Sequence, residues 1–189
     1  MLYDKHLLRN KFLKDRKKKY FTTKNFNFNL IFRLIKKHFH KKKIAIAGYY
    51  PSNYEVNVLK FLEKASRNKF KIALPVVQSS TNMAFMSWAI NEPLYVSKFG
   101  ILEPKNSKKS IIPDLILVPL VAFDNDLNRI GYGKGYYDRS LKKIKNIKKN
   151  TIALGVAYSF QKASRISVNK HDFKLDYIFT ERGIISSNK

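Results

Sequence analysis

Three alternating glycines, Gly131, Gly133 and Gly135, mark the stretch of this sequence whose residue types could best carry out chemistry. Glycine has no Cβ, so a glycine-rich backbone can turn several N–H groups inward and form a concave anion site. Arg129 and Lys134 add positive charge to this stretch, which strengthens hydrogen bonds to an anion. The pattern therefore favours a loop that wraps a phosphate.

Two familiar phosphate-binding motifs do not fit this spacing. The pattern G-x-G-x-G lacks the Gly-Lys-Ser/Thr ending of the Walker A loop, and its last gap is shorter than that of the dinucleotide-binding fingerprint. Asp138, just after the last glycine, offers a carboxylate to a hard cation that bridges phosphate oxygens. The residues thus indicate phosphate with magnesium, and a glycine-rich turn without a ligand is the alternative.

The segment before the loop, residues 114–123, is almost entirely apolar. Such a run is typical of a strand that is covered on both faces in a parallel sheet. Open α/β sheets bind ligands beyond the carboxyl ends of their strands. We therefore expect the glycine loop to lie at the ligand-binding edge of an α/β sheet.

Periodicity along the rest of the chain predicts both helices and strands. Helices are predicted from Asp4, which can act as the N-cap, across residues 30–39, from Glu55 through Lys64, and from Tyr136 to Ile147. Strands are predicted over residues 43–50, 71–76, 83–88, 151–158 and 171–180.

Further charged positions fall where they could contact a ligand. Lys5 and Arg9 lie together on the first helix, where they either grip a polyphosphate or form a solvated basic face. Glu55 is predicted to open a helix directly after a strand, where it either stabilises the helix N-terminus or accepts hydrogen bonds from a heterocycle. The last predicted strand brings Asp176 to a place where it could meet Asp138.

Length and composition limit the class of protein. A chain of 189 residues with 44% hydrophobic residues suggests a single domain, residues 1–189, with a substantial core. The absence of cysteine excludes disulfides and cysteine-ligated metal sites. No apolar run approaches the roughly 20 residues of a membrane span, and the basic N-terminal residues lack the apolar core of a secretory signal. We expect a cytoplasmic protein.

The charge of the chain is strongly positive, with 38 basic and 13 acidic residues and a net charge of +25. Such an excess attracts phosphate-rich polymers. The lysines are nevertheless spread along the chain, as in residues 17–19 and 148–149, rather than gathered in one recognition helix. We interpret most of them as solvated surface, and a basic nucleic-acid-binding module stays as the alternative function.

Several segments together carry a resemblance to one family. In chain order they are Lys5-x-x-x-Arg9, Tyr50-Pro51 with Glu55-Val56, Leu74-Pro75, Met83-x-Phe85, Gly100 to Pro104, Val118-Pro119 with Ala122 to Asp124, Arg129 to Arg139, and His171-Asp172 followed by Asp176. The sequence resembles the 5-formyltetrahydrofolate cyclo-ligases, also called 5,10-methenyltetrahydrofolate synthetases. The resemblance covers nearly the whole chain, and the glycine-tyrosine-aspartate stretch is its most specific part.

The resemblance implies a fold and a reaction. The implied fold is a three-layer α/β/α sandwich with a mostly parallel sheet. The implied reaction converts 5-formyltetrahydrofolate to 5,10-methenyltetrahydrofolate with ATP and Mg²⁺, and releases ADP and phosphate. In it the formyl oxygen attacks the γ-phosphate, and N10 of the folate then closes the ring as phosphate departs. The expected partners are these small molecules, and we expect a monomer.

The resemblance also implies roles for individual residues. Lys5 and Arg9 would bind the ATP phosphates, Asp138 and Asp176 would bind magnesium, and Arg129 and Lys134 would act as the catalytic pair. The implied ATP contacts continue through Arg129, Ile130, Gly131, Tyr132, Gly133, Lys134, Gly135, Tyr136 and Tyr137. The implied folate contacts are Tyr50 and Glu55, together with Tyr132, Gly133, Lys134, Gly135 and Tyr136 between the two ligands.

Overall fold

The computed structural model describes residues 4–22, 25–40, 43–105 and 109–187. The helices are α1 (Lys5–Lys19), α2 (Asn29–His38), α3 (Leu59–Arg67) and α4 (Tyr136–Ile147). The strands are β1 (Ala45–Ala47), β2 (Lys71–Val77), β3 (Met83–Ser87), β4 (Tyr95–Val96), β5 (Leu102–Glu103), β6 (Leu115–Pro119), β7 (Ala122–Phe123), β8 (Arg129–Ile130), β9 (Ile152–Val156), β10 (Tyr177–Thr180) and β11 (Gly183–Ser186).

Seven strands form one sheet in the order β11-β10-β9-β6-β1-β2-β3. The five inner strands run parallel to one another, whereas β3 and β11 pair antiparallel at the two edges. The inner strands are built from apolar residues because both of their faces are covered. Since their carboxyl ends meet at one edge, the loops that follow β1, β2 and β6 are brought together there.

Alternate residues of the central strands point to opposite sides of the sheet. Leu117 belongs to the core that includes residues of α2 and α3, whereas Val118 belongs to the core that includes Leu141 and Ile144 of α4. The two cores separate three layers, as the resemblance implied. The predicted α/β class with a mostly parallel sheet is confirmed.

Helix α1 packs outside both of these cores, against a small hairpin made of β7 and β8. Phe12 of α1 contacts a third apolar cluster that contains Val121, Ala122 and Ile130. This hairpin connects the end of β6 to the glycine loop. Helix α1 packs against the same hairpin, so the hairpin fixes the position of α1 relative to the loop. Among the helices in the described part of the chain, none combines the length and apolar character that a membrane crossing requires.

Two predictions near the ligand-binding edge are wrong in detail. Residues 114–123 form two strands instead of one, because the chain leaves the sheet after Pro119 and the N–H of Val121 donates to the carbonyl of Ile130 at 2.7 Å. The helix predicted from Glu55 begins only at Leu59. Glu55 lies instead in a turn, where its N–H donates to the carbonyl of Ser52 at 2.9 Å.

Other strands are shorter than predicted. The strand predicted over residues 43–50 is reduced to β1, and the one predicted over residues 171–180 is extended only from Tyr177. Residues before Tyr177 turn instead, since the N–H of Asp172 donates to the carbonyl of Asn169 at 2.9 Å. Strand β11 follows β10 through a tight turn that the sequence analysis missed.

Candidate active site

The glycine loop runs from the end of β8 at Ile130 to the start of α4 at Tyr136. Gly133 and Gly135 have φ angles of 96° and 67°, a left-handed conformation that residues with a Cβ rarely adopt. Gly135 is also the N-cap of α4. The two glycines therefore allow the chain to turn directly into the helix N-terminus.

Two arginines hold the carbonyl groups of this loop. Arg9 Nε donates to the carbonyl of Gly131 at 2.8 Å, and Arg139 Nη2 donates to the carbonyl of Lys134 at 2.9 Å. Within the described residues, the N–H groups of Tyr132 through Gly135 donate no hydrogen bond. With the positive end of the α4 dipole beside them, these free donors form a site suited to an anion.

A cavity of about 710 Å³ opens beside the loop. Its walls include almost every residue predicted for the site, namely Lys5, Arg9, Tyr50, Glu55, the whole run from Arg129 to Tyr137, and Asp138. It also has apolar walls, among them Val77, Met83 and Phe99. The cavity therefore combines a basic, donor-rich surface with apolar surface, as a ligand with a phosphate end and a ring system requires.

Arg129 and Asp138 form a close ion pair beneath the loop. Arg129 Nη2 donates to Asp138 Oδ1 at 2.7 Å, and Arg129 is only 7% exposed. Burial lowers the pKa of the Arg129 guanidinium, and the Asp138 carboxylate opposes that shift. Arg129 Nε is buried without a partner among the described residues. A buried donor without a partner is costly, so this atom is suited to a ligand oxygen.

Asp172 is a second carboxylate in the cavity wall, and its role was not predicted. It forms an ion pair with Lys5 and accepts from the N–H of Asn169 at 2.6 Å. Burial alone would raise the pKa of Asp172, but the Asn169 N–H and the Lys5 charge outweigh it and lower the pKa. The only sequence signal was the His171-Asp172 pair among the segments that carry the family resemblance.

Asp176 does not line this cavity, although it was predicted to meet Asp138. Its carboxylate accepts from the N–H of Ala153 at 2.7 Å and pairs with Lys145 at 2.9 Å. These contacts hold it against β9 and α4. In the described parts of the chain, no group of three or more His, Asp or Glu side chains is placed to hold a metal ion.

Glu55 lies in the cavity wall and is only 6% exposed. Its Oε2 accepts from the N–H of Ser52 at 2.9 Å, and its Oε1 accepts from the hydroxyl of Tyr132 at 2.8 Å. Burial raises the pKa of Glu55, while these hydrogen bonds and the charge of Arg16 oppose the shift. Glu55 thus faces the glycine loop through Tyr132, although 77 residues separate them.

Arg16 is a further residue that sequence reasoning missed. Its Nη2 donates to the Tyr132 hydroxyl at 2.5 Å, and its side chain is buried. In the sequence it looks like one more cation in a run of Lys and Arg. No local pattern distinguishes it, because its burial depends on how α1 packs on the hairpin of β7 and β8.

Comparisons with known proteins show one family. The model of the 5-formyltetrahydrofolate cyclo-ligase family matches residues 2–181. A 5-formyltetrahydrofolate cyclo-ligase of Haemophilus influenzae is 31% identical over 136 residues, which cover 69% of this chain and 72% of that protein. The cyclo-ligase of Mycoplasma pneumoniae is 33% identical over 137 residues, which cover 72% of each chain.

Solved structures of this family are similar to almost the full length of this chain. The 5,10-methenyltetrahydrofolate synthetase of Aquifex aeolicus superposes with a TM-score of 0.75 at 29% identity, covering 98% of this chain and 93% of that one. The synthetase of Mycoplasma pneumoniae gives a TM-score of 0.69 at 28% identity, covering 94% and 98% respectively. The resemblance found in the sequence is confirmed, and this chain belongs to the 5-formyltetrahydrofolate cyclo-ligase family.

Proposed function

We propose that this protein converts 5-formyltetrahydrofolate to 5,10-methenyltetrahydrofolate, with consumption of ATP and release of ADP and phosphate. Membership of the cyclo-ligase family supports the reaction. The single observation that carries the proposal is the position of the glycine loop. The loop, whose N–H groups at residues 132–135 have no acceptor among the described residues, lines the same cavity as the buried carboxylate of Glu55, so an anion and a heterocycle would be held side by side.

The ATP end of the cavity is assigned to the loop and to α1. The free N–H groups of the loop would take phosphate oxygens, since a helix N-terminus favours an anion. Lys5, Arg9 and Lys134 line the cavity and add positive charge. The buried hydroxyl of Tyr137 has no partner among the described residues and is suited to a further ligand contact.

The side chains beside this end fit a magnesium ion that is shared with phosphates. Asp138 and Asp172 use only one carboxylate oxygen each in their described contacts, and Asp138 Oδ2 and Asp172 Oδ1 are left over. Mg²⁺ is commonly held by one or two carboxylates together with substrate phosphates. When bound, the ion supplies positive charge that offsets the charge of those phosphates. Asp176 is left out of this set because its contacts lie elsewhere.

The folate end is assigned to Glu55, Tyr50 and the apolar wall. An ionised carboxylate has acceptors and no donor, which suits the amino and ring N–H groups of a pterin. Val77 and Met83 face each other across β2 and β3, and Phe99 contacts the ring of Tyr136 at 6.0 Å between centroids. Their apolar surface would exclude water from a bound ring system.

The chain's contribution to the chemistry is positioning and charge. The formyl oxygen must approach the γ-phosphate, so the loop and Glu55 would hold the two substrates in reach of each other. Arg129 and Lys134 would stabilise the negative charge that develops on the phosphoryl group during transfer. Phosphorylation turns the formyl oxygen into a good leaving group, and N10 then closes the ring as phosphate departs.

An absorbance assay for the methenyl product tests the proposal. The purified protein should form product with ATP, Mg²⁺ and 5-formyltetrahydrofolate together, and no product when ATP is omitted or Mg²⁺ is chelated. Lys134→Ala should lower kcat/KM for ATP roughly 100-fold, the scale of losing one charge-stabilising donor. The matched control is Lys60→Ala, which removes an exposed lysine of α3 outside the cavity and should keep full activity. A well-folded sample that forms no product with all three components would contradict the proposal.

A further inference from the structure

Arg16 differs from the other basic residues at the end of α1. Arg16, Lys17, Lys18 and Lys19 all lie in its last turn. The three lysines are exposed, yet Arg16 is only 1% exposed. Burying a charge is costly unless hydrogen bonds or an opposite charge compensate it. The contacts of Arg16 therefore indicate what its burial achieves.

Two guanidinium nitrogens of Arg16 contact the segment just before β7 and the glycine loop. Nη1 donates to the carbonyl of Leu120 at 3.2 Å, and Nη2 donates to the hydroxyl of Tyr132 at 2.5 Å. The guanidinium carbon also lies 5.6 Å from the centre of the Tyr132 ring, within range of a cation–π contact. Both the ring and the hydroxyl of Tyr132 are thus held in one orientation.

The Tyr132 hydroxyl connects the positive charge of Arg16 with the negative charge of Glu55. It accepts from Arg16 and donates to Glu55 Oε1 at 2.8 Å. Arg16 and Glu55, at the two ends of this link, are only 1% and 6% exposed, and consecutive hydrogen bonds that involve buried groups strengthen one another. Tyr49, Tyr137 and Tyr158 also lie close enough to interact with the charge of Glu55, but none of them carries a positive charge to balance it. The positive charge of Arg16 acts on Glu55 and opposes the rise in its pKa.

Helix α1 contacts the cavity wall at three points along its length. Lys5 pairs with Asp172, and Arg9 donates to the carbonyl of Gly131. Arg16 is the third point, two turns after Arg9, and it reaches the folate end through Tyr132. One helix therefore supports both ends of the cavity, by different residues.

We propose that Arg16 is a positioning residue for folate binding: through the Tyr132 hydroxyl it orients the Glu55 carboxylate that receives the pterin. Arg16 does not touch the substrate and acts through Tyr132. The inference rests on the proposed function, because it assigns Arg16 to the folate end of that same site. On this proposal, Lys5 and Arg9 in the first half of α1 contact phosphate, and Arg16 in the second half acts on folate binding.

Direct binding measurements on Arg16→Met test this inference. Methionine keeps most of the side-chain length and removes the charge and the donors. The dissociation constant for 5-formyltetrahydrofolate, measured by titration calorimetry, should rise at least about 10-fold, as expected for losing a charge-assisted hydrogen bond. The dissociation constant for ATP with Mg²⁺ should change less than about 3-fold. Lys17→Met, at an exposed position in the same turn, should alter neither constant.

Two further variants separate positioning from general stability. Tyr132→Phe keeps the ring and removes only the hydroxyl, so it should also weaken folate binding selectively. Combined with Arg16→Met it should add little, because both changes break the same link. Arg16→Lys keeps the charge and should recover part of the affinity. If Arg16→Met does not fold, the folate dissociation constants of Tyr132→Phe and Arg16→Lys test the inference instead.

The outcomes distinguish this inference from the proposed function. If the wild-type protein forms no methenyl product, the proposed function fails, and the inference falls with it. If the wild-type protein is active and folate affinity is unchanged in Arg16→Met or in Tyr132→Phe, the inference alone is overturned. Additive effects of the two changes would also overturn it, because they would show that Arg16 does not act through Tyr132.

Discussion

Glu55 is a carboxylate whose ionisation works against the fold. It is nearly buried, and burial raises its pKa even though Ser52, Tyr132 and Arg16 partly compensate the charge. The folded chain therefore binds a proton at Glu55 more readily than the unfolded chain does. Carboxylates with such a raised pKa in a cavity wall are typical of functional sites. Ionisation of such a group lowers the stability of the fold, while the ionised group is available to bind a ligand.

Glu55→Gln should weaken folate binding and stabilise the fold at neutral pH. The stability linked to the Glu55 proton is fully present below the ordinary glutamate pKa of 4.5 and is lost as the pH rises through the raised folded value. Glutamine does not ionise and keeps this stability. Urea unfolding from about pH 4 to about pH 8 should thus show a gap between variant and wild type that widens with pH.

The folate dissociation constant of Glu55→Gln should rise at least about 10-fold, because a charged acceptor is lost. Glu63→Gln serves as the control, since Glu63 pairs with Arg67 on the outer face of α3 and does not line the cavity. A stability gap that is constant with pH would show that Glu55 ionisation does not oppose folding.

The element that most directly shapes the ATP end is the junction between the glycine loop and α4. Gly135 caps α4 with a left-handed backbone, and Arg139, one turn later, reaches back to the carbonyl groups of Lys134 and Thr81. A Cβ at Gly135 would lie 2.8 Å from Arg139 Nη1. The Arg139 side chain therefore connects α4 to the glycine loop, and it occupies the space that a Cβ at Gly135 would take.

Gly135→Ala should weaken nucleotide binding as well as the fold. The left-handed backbone costs roughly 1–2 kcal/mol for a residue with a Cβ, and the displaced Arg139 would release the loop. We expect KM for ATP to rise at least about 10-fold, as for one charge-assisted hydrogen bond, with a smaller change for folate. The measurements are steady-state kinetics and thermal unfolding.

Gly183→Ala provides a matched control for backbone strain. Gly183 also has a positive φ, at 133°, but a Cβ there would meet nothing within 4 Å, and it is the first residue of β11, outside the cavity wall. This variant should lose stability and keep its KM for ATP. Equal effects of the two variants on ATP use would mean that strain, and not the loop geometry, explains the loss in Gly135→Ala.

At the scale of the whole molecule, the net charge is +25, and basic residues occur in all four helices as well as in the segments between them. The last turns carry Arg16 to Lys19 in α1, Lys36 and Lys37 in α2, Lys64 and Arg67 in α3, and Lys145 in α4. Cations are favoured at helix C-termini because the helix dipole is negative there. This distribution supports the interpretation of most lysines as surface charge. A cytoplasmic monomer stays a prediction.

We expect this protein to bind RNA only through its overall charge. Binding of a short single-stranded RNA, followed by fluorescence anisotropy, should be present at about 50 mM salt and lost at about 200 mM salt, since released counterions drive such binding. Production of the methenyl compound at the higher salt concentration should be unaffected by the RNA. Tight RNA binding that persists there would favour the nucleic-acid-binding alternative.

The sequence by itself determined the features that depend on neighbouring residues. The glycine spacing predicted a loop before α4, and the apolar runs and helical periodicity predicted most strands and helices, because backbone freedom and burial of one face are local properties. Lys5 and Arg9 were placed together correctly for the same reason. The pair of Arg129 and Asp138 also lies within one short stretch, where both residues had been selected as candidates.

Only the tertiary structure decided which distant residues share the cavity. Arg16 meets Tyr132 across 116 residues, and Lys5 meets Asp172 across 167, contacts that depend on how α1 packs against the hairpin and on the turn before β10. The same packing leaves Asp176 outside the cavity and holds Glu55 in a loop instead of a helix. Side chains far apart in the chain are brought together by burial of apolar surface on other residues. Their contacts therefore cannot be predicted from their own positions in the sequence.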